Sequence, residues 1–88
     1  MTYNTKKHTG DKTRLSQNAG ELIRNLRTIK GISGKEFGHI VGLSQQQVSR
    51  YETGRGRLTL ELLWRFADAF DLTFWELIDM LHHSFIQE

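Results

Sequence analysis

The sequence contains no cysteine and no proline, and it has no long run of apolar residues. The absence of cysteine excludes disulfides, thiolate metal sites and thiol catalysis. The absence of proline disfavours a sandwich or barrel built on many tight turns, and it therefore favours helices. A polar N-terminus and the lack of about 18 consecutive apolar residues indicate a protein without a signal peptide or a membrane span. We therefore expect a helical, cytoplasmic protein that does not contact a membrane.

The 88 residues fit one domain and leave no room for a catalytic domain beside a regulatory one. The charges are divided unevenly along this chain. Residues 1–58 carry eleven lysines and arginines against four acids, which gives +7, whereas residues 59–88 carry one arginine against six acids, which gives −5. A basic first part and an acidic second part suggest that one side of the protein contacts a polyanion. A chance dipole on a solvated surface is the alternative.

The beginning of the chain shows neither a helical nor an alternating pattern of apolar residues. Four basic residues lie there among threonine, asparagine and glycine, and we predict a flexible basic arm over residues 1–15. Residues 16–88 are predicted to form the folded domain. Asn18 and Glu21 have the spacing of a capping box, which predicts that the first helix begins there and ends at Gly31.

Four further N-cap residues predict four more helices. Ser33 precedes a short helix that ends at Gly42, and Ser44 precedes the helix QQQVSRYE. Thr59 precedes a fourth helix, and Thr73 opens a fifth with a second capping box. The helical spacing of apolar residues predicts a core to which the following residues belong: Leu22, Ile23, Leu26, Ile29, Phe37, Ile40, Val41, Leu43, Val48, Tyr51, Leu60, Leu63, Phe66, Ala67, Phe70, Phe74, Leu77, Ile78 and Leu81. Five short helices with short connections predict a small all-α domain.

The second and third helices are joined by a turn of only a few residues that contains Gly42. Such a short turn fixes a large crossing angle between two helices. Gly38 lies where the helices would approach most closely, so a side chain there is expected to clash. The outer surface of the third helix is rich in side chains that both donate and accept hydrogen bonds.

The segment GKEFGHIVGLSQQQVSRYETG resembles the helix-turn-helix of the Cro and phage-repressor superfamily, also called the XRE family, and the resemblance extends over residues 19–78. The first-helix pattern I-R-x-L-R is met by residues 23–27, and the fourth-helix pattern L-E-L-L by residues 60–63. The resemblance implies a five-helix, lambda-repressor-like DNA-binding domain whose helices 2 and 3 form the helix-turn-helix. SGKEFG combined with GLSQQQVSRYE is also similar to small regulators associated with fimbrial operons in enteric bacteria.

This resemblance implies that the helix over residues 45–52 lies in the major groove of DNA. Gln45, Gln46 and Arg50 match positions where related repressors read bases. The chemistry agrees, because glutamine can bond adenine N6 and N7 together and arginine can bond guanine O6 and N7 together. The residues expected to contact the DNA backbone are Ser44, Gln47, Ser49, Lys35, Arg55 and Arg57.

Two positions depart from the family pattern, and one pair matches it. Gly34 stands where relatives have a glutamine that braces the recognition glutamine and touches phosphate. Either the bare backbone lets DNA approach more closely there, or Lys35 provides the anchor. Asp71 stands where relatives prefer glycine, although aspartate tolerates the left-handed conformation. Arg27 and Glu52 match an ion pair that in relatives links the first helix to the recognition helix.

Large apolar residues also occur outside the predicted core. Trp64 and Trp75 occupy positions where relatives carry polar residues, which suggests a partner surface. Together with Leu81 and Phe85 of the extended fifth helix, they predict a homodimer that binds a palindromic operator. A second core, packed locally within one chain, is the alternative.

Two other classes of function compete with a DNA-binding regulator. One is a protein-binding module, such as an antitoxin whose aromatic, acidic C-terminal face covers a partner protein and that also binds operator DNA. The other is an enzyme in which Glu36 with Glu21 or His39 supplies acid and base, but no nucleophile, phosphate loop or metal cluster frames them. We therefore expect neither catalysis nor a cofactor. His82 and His83 point about 100° apart on a helix and are expected to be surface residues without a metal.

Overall fold

The computed structural model describes residues 12–86 and shows five α-helices. They are α1 (Lys12–Ile29), α2 (Gly34–Val41), α3 (Gln45–Glu52), α4 (Leu60–Ala69) and α5 (Phe74–Ile86). No strand occurs over this range, and the prediction of an all-α fold with five helices is confirmed. α1 packs against α3 and α5, α2 against α3 and α4, and α4 against α5. None of these helices is long and apolar enough to cross a membrane.

Side-chain caps set where α2 to α5 begin. Ser33 Oγ accepts a hydrogen bond from Glu36 N at 3.0 Å, and Glu36 Oε1 accepts one from Ser33 N at 2.8 Å. The same reciprocal arrangement begins α3 at Ser44 and α5 at Thr73, and the hydroxyl of Thr59 caps α4. Each cap satisfies backbone amides that have no partner within the helix. The predicted starts of these four helices are confirmed.

The predicted start of α1 is wrong by six residues. The helix begins at Lys12 and not at Asn18, so residues 12–15 of the predicted basic arm are helical, and the rest of that arm lies outside the described residues. Asn18 lies inside the helix, where its Nδ2 atom is buried without a hydrogen-bond partner. The preceding residues include arginine, leucine and glutamine, which are good helix formers, so the helix extends through them past the capping pattern.

Left-handed backbone ends α1, α2 and α4 where the sequence predicts. The φ angle is 75° at Gly31, 79° at Gly42 and 60° at Asp71. Aspartate is one of the few residues besides glycine that tolerates this conformation. Asp71 Oδ2 also lies 2.6 Å from Lys30 Nζ, which joins the end of α1 to the end of α4.

The core receives apolar side chains from all five helices. The ring of Phe37 is fully buried and lies 5.1 Å from the ring of Phe70 and 5.4 Å from that of Phe66, measured between centroids. The buried apolar residues are Ala19, Ile23, Phe37, Val41, Val48, Phe66, Ala67, Phe70 and Leu77. The core therefore lies under the α2–α3 pair and fixes the position of both helices.

Three residues predicted to face the core are exposed instead: Ile29, Ile40 and Leu60. Ile29 is the last residue of α1 and Leu60 is the first residue of α4, so the apolar stripe runs past the core at both positions. Ile40 precedes Val41 in α2, and a step of one residue rotates the side chain by about 100° around the helix. Val41 takes the core position.

Candidate nucleic-acid interface

The turn between α2 and α3 is held by the backbone of α2. Leu43 N donates a hydrogen bond to Gly38 O at 2.7 Å. A Cβ atom on Gly38 would lie 2.5 Å from Leu43 O, which is too close for any side chain. The prediction that Gly38 permits this close approach is confirmed. Because the turn is tight, the direction in which α3 leaves α2 is fixed.

α3 is anchored on one side and open to solvent on the other. Val48 is buried in the core, and Tyr51 is half-buried with its ring edge-on to that of Phe66 at 6.1 Å. By contrast, the three side chains that we predict to read bases are all exposed: Gln45, Gln46 and Arg50. The structure therefore leaves the three side chains accessible to a ligand, and their contact with bases stays a prediction.

Two of the residues predicted to contact the DNA backbone, Ser44 and Gln47, are hydrogen-bonded to each other at the beginning of α3. Ser44 Oγ accepts a hydrogen bond from Gln47 N at 3.1 Å, and Gln47 Oε1 accepts one from Ser44 N at 2.8 Å. The fold therefore uses the hydroxyl of Ser44 and the amide oxygen of Gln47. The amide nitrogen of Gln47 and the hydroxyl hydrogen of Ser44 are the groups that this cap leaves to donate to a phosphate.

The remaining predicted backbone contacts surround α3. Ser49 lies on α3 itself, Lys35 lies at the beginning of α2, and Arg55 and Arg57 lie in the loop that follows α3; all four are exposed. The loop is tied back to α3, because Arg55 N donates to Arg50 O at 2.8 Å. The basic loop therefore has a defined position beside the C-terminal end of α3.

An ion pair joins α1 to the last residue of α3. Arg27 Nε donates to Glu52 Oε2 at 2.6 Å, and Arg27 Nη2 donates to Glu52 Oε1 at 3.0 Å. Arg27 Nη1 donates to Ile32 O at 2.9 Å, so all three nitrogens of the guanidinium are engaged. The hydrogen bond to Glu52 and its negative charge raise the pKa of Arg27 against the opposing effect of burial. The predicted pair is confirmed, and its role in this structure is architectural.

α1 also approaches the end of α3 more closely than the sequence indicated. A Cβ atom on Gly20 would collide with the carbonyl oxygen of Tyr51 and would lie 2.6 Å from Glu52 O. A Cβ atom on Gly54, just after α3, would lie 2.8 Å from Gln17 Cγ. The sequence signal for this contact is Gly20 itself, because a glycine inside a helical pattern is costly and usually has a packing reason.

A polar groove runs between α1, the first residue of α2 and one edge of α3. Its volume is about 260 Å³, and it is lined by Arg24, Arg27, Gly34, Gln45, Val48, Ser49, Glu52 and Thr53. Gly34 leaves the groove open, because the nearest atom that a Cβ there would meet is Gln45 Cγ at 4.0 Å. Sequence reasoning missed Arg24, although it lies within the first-helix pattern I-R-x-L-R.

A second exposed surface is aromatic. Trp64 is 63% exposed and Trp75 is 73% exposed, and the ring of Phe74 lies 5.6 Å from the first indole and 5.1 Å from the second. With Asp68, Leu72 and Thr73 they line a cleft of about 410 Å³. We call Trp64, Phe74 and Trp75 the aromatic surface. Leu81 is half-buried, and the predicted contribution of Phe85 lies outside the side chains that the structure describes.

The carboxylate common to both versions of the enzyme alternative, Glu36, has a structural task. Glu36 caps α2, and the hydrogen bonds from the backbone and hydroxyl of Ser33 lower its pKa, which makes it a poor proton donor at neutral pH. His82 and His83 are exposed, and His83 Nδ1 lies 2.9 Å from Asp79 O. Over residues 12–86 no three histidines or carboxylates gather where they could hold a metal ion.

Comparison with known proteins gives matches over most of the described helices. A family model described as Helix-turn-helix matches residues 23–77. The chain is 34% identical over 65 residues to a protein of Methanosphaerula palustris provisionally named an HTH-type transcriptional regulatory protein, and the match covers 74% of this chain and 21% of that protein. It is 30% identical over 59 residues to antitoxin PezA of Streptococcus pneumoniae, which covers 67% of this chain and 37% of the antitoxin.

Among solved structures, the chain is similar to the restriction-modification controller protein C.AhdI from Aeromonas hydrophila. The TM-score is 0.69 at 29% sequence identity, and the superposition covers 77% of this chain and 97% of the controller protein. The chain spans only 21% of the length of the M. palustris relative, so that protein's activity as a whole is not carried over. These matches support the wider helix-turn-helix resemblance, and the narrower similarity to fimbrial-operon regulators stays a prediction.

Proposed function

The chain belongs to the helix-turn-helix family, and we propose that it is a sequence-specific DNA-binding transcriptional regulator whose α3 reads bases in the major groove. One observation carries the proposal: Gln45, Gln46 and Arg50 are all exposed on a helix that Val48 anchors in the core. Amide and guanidinium groups are the side chains that pair with base edges in two places at once. α3 therefore presents the right chemistry on an accessible surface.

The way α3 is mounted supports this function. The tight turn at Gly38 fixes one end of α3, and the ion pair between Arg27 and Glu52 fixes the other. A reading helix held at both ends loses little conformational freedom on binding, and its side chains keep their spacing relative to one another. The rigid frame favours recognition of a defined base sequence over loose attachment to nucleic acid.

The distribution of charge supports the same orientation. Lys35, Arg55 and Arg57 are exposed around α3, whereas the acids that the structure describes between residues 59 and 86 lie on α4 and α5 and in the turn between them. Contacts with phosphates fix the register of a protein on DNA but carry no base information. We therefore assign the three cations to the DNA backbone and the α3 side chains to bases.

We further propose that two copies of the chain associate through the aromatic surface, with Leu81 and Phe85 of α5 extending the interface. Exposed indoles supported by a third ring are typical of the buried centre of an interface. A twofold dimer would present two α3 helices to half-sites about one helical turn apart, so the operator is expected to be palindromic. Such a regulator would act in the cytoplasm.

The proposal is tested by selecting binding sites from random duplexes with the 88-residue chain. We expect an enriched pair of inverted half-sites whose centres lie about 10 base pairs apart or a multiple of that spacing. The matched control is a Gln45→Ala, Gln46→Ala double variant, which is expected to lose enrichment at the base positions those side chains read. Absence of any enriched sequence with the wild-type chain would contradict the proposal.

A second candidate function is an antitoxin that covers a partner protein with its aromatic surface. The similarity to antitoxin PezA and the exposure of Trp64 and Trp75 favour it. The two functions are compatible, because a single chain can bind DNA through α3 and a protein through α4 and α5. Examination of the neighbouring reading frame separates them: a co-transcribed small toxin that binds this chain supports the antitoxin, and a fimbrial or phage operon supports the regulator alone.

A further inference from the structure

Two arginines of α1 line the same groove but differ in what they contact. Arg24 and Arg27 lie three residues apart, which places them as neighbours on one side of the helix. Arg27 is committed to Glu52 and to the carbonyl of Ile32. Arg24 is exposed and makes no hydrogen bond or ion pair within the described part of the chain. Its positive charge is therefore available to a ligand.

The groove around Arg24 has the charge and the space for an anion. Glu52 is the one carboxylate among the lining residues, and Arg27 neutralises it, so the lining keeps the net positive charge of Arg24. Gly34 contributes no side chain, and the nearest atom to a Cβ there would be 4.0 Å away. A phosphate oxygen that enters over Gly34 would thus meet bare backbone on one side and a guanidinium on the other.

The groove also adjoins the surface that we propose to read bases. One edge of the groove is lined by three polar residues spaced four apart, Gln45 and Ser49 of α3 and Thr53 just after it. A duplex that places a base edge against Gln45 must carry its sugar-phosphate strand past this edge. Lys35 is exposed at the beginning of α2 but does not line the groove. Arg24 is therefore the unpaired cation on the groove wall next to Gln45.

We propose that Arg24 binds a phosphate of the DNA strand that passes over this groove, beside the base position read by Gln45; this assignment rests on the proposed function. The planar guanidinium donates parallel hydrogen bonds that match two phosphate oxygens. The contact fixes the register of α3 in the groove and carries no base information. Arg24 on α1 thereby anchors the strand at Gly34, where α2 itself offers no side chain.

The assignment is tested with Arg24→Ala, with Arg65→Ala as the matched control because Arg65 is an exposed arginine on the acidic half of the chain. Binding is measured by fluorescence anisotropy on the selected operator and on a scrambled duplex at several salt concentrations. Arg24→Ala is expected to weaken binding to both duplexes about tenfold. It is also expected to reduce the slope of log affinity against log salt by about one. Arg65→Ala is expected to change neither quantity.

A further variant and a stability measurement keep the result interpretable. Arg24→Lys keeps the charge and is expected to retain most of the salt slope while losing part of the affinity, because lysine lacks the planar fork. The melting temperature of Arg24→Ala is expected to equal that of the wild type, since Arg24 makes no hydrogen bond or ion pair with the residues that the structure describes.

Two results would overturn the assignment and leave the proposed function intact. One is an unchanged affinity and salt slope for Arg24→Ala on an operator that the wild type distinguishes from the scrambled duplex. The other is a loss confined to a single base position of the operator, since that would make Arg24 a base-reading residue. Failure of the wild-type chain to distinguish the two duplexes would overturn the proposed function and this assignment together.

Discussion

Arg27 and Glu52 form a two-point ion pair across 25 residues of sequence, with N–O distances of 2.6 and 3.0 Å. Both side chains are largely shielded from solvent, at 15% and 8% exposure. The net stabilisation that such a shielded pair provides is small, because both charges lose their hydration. Removal of one partner is nevertheless strongly destabilising, because it leaves the other charge uncompensated. The pair also holds the C-terminal end of α3 against α1.

We therefore expect Arg27→Ala to lower the free energy of unfolding by about 2 to 3 kcal/mol. The matched control is Lys30→Ala, which removes the exposed pair with Asp71 and is expected to cost less than about 1 kcal/mol. Urea denaturation of the three proteins measures both values. Equal losses for the two variants would show that burial of the Arg27–Glu52 pair has no energetic consequence.

The close approach of α1 to α3 gives a second prediction. Gly20→Ala places a methyl group against two backbone carbonyls that cannot move aside, and it is expected to destabilise the fold by at least about 1 kcal/mol despite the better helix propensity of alanine. Gly34→Ala makes the same change in open space and is expected to leave stability unchanged to within about 1 kcal/mol. The melting temperatures of the two variants check this contrast. A Gly20→Ala protein as stable as the wild type would contradict the packing described at this contact.

The sequence predicts those parts of the fold that depend on local chemistry. The caps at Ser33, Ser44 and Thr73 and the left-handed stop at Asp71 are set by hydrogen bonds and sterics within a few residues, so their patterns are visible in the chain. The start of α1 is not predicted, because two local signals compete there. Asn18 has a capping pattern but lies inside a longer helix, because good helix formers precede it.

The candidate interface shows the same division. The exposure of Gln45, Gln46 and Arg50 follows from the spacing of Val48 and Tyr51, which must face the core. Gly20 signals close packing but not its partner, and the position of Arg24 on the groove is not visible in the sequence, since both depend on where α1 crosses α3. Periodicity also overextends the core at Ile29 and Leu60, because it does not indicate where the neighbouring helix stops.

The aromatic surface gives a third prediction. If two copies associate there, the wild-type chain is expected to show twice the mass of one chain in sedimentation, and a Trp64→Ser, Trp75→Ser variant is expected to show the mass of one. Removal of the indoles takes away the large rigid groups that dominate interface energies. Ile29→Ser is the matched control, because Ile29 is an even more exposed apolar residue on a different helix. Retention of the dimer by the double variant would place the interface elsewhere.

Base reading by α3 is measured by the ratio of the affinity for the selected operator to that for a scrambled duplex at one fixed salt concentration. For the Gln45→Ala, Gln46→Ala double variant, we expect the ratio to fall by about tenfold or more, because each paired contact discriminates by about 1 to 3 kcal/mol. Arg55→Ala, as the comparison, is expected to weaken binding to both duplexes equally and to leave the ratio unchanged. A double variant that keeps the wild-type ratio would contradict base reading by α3.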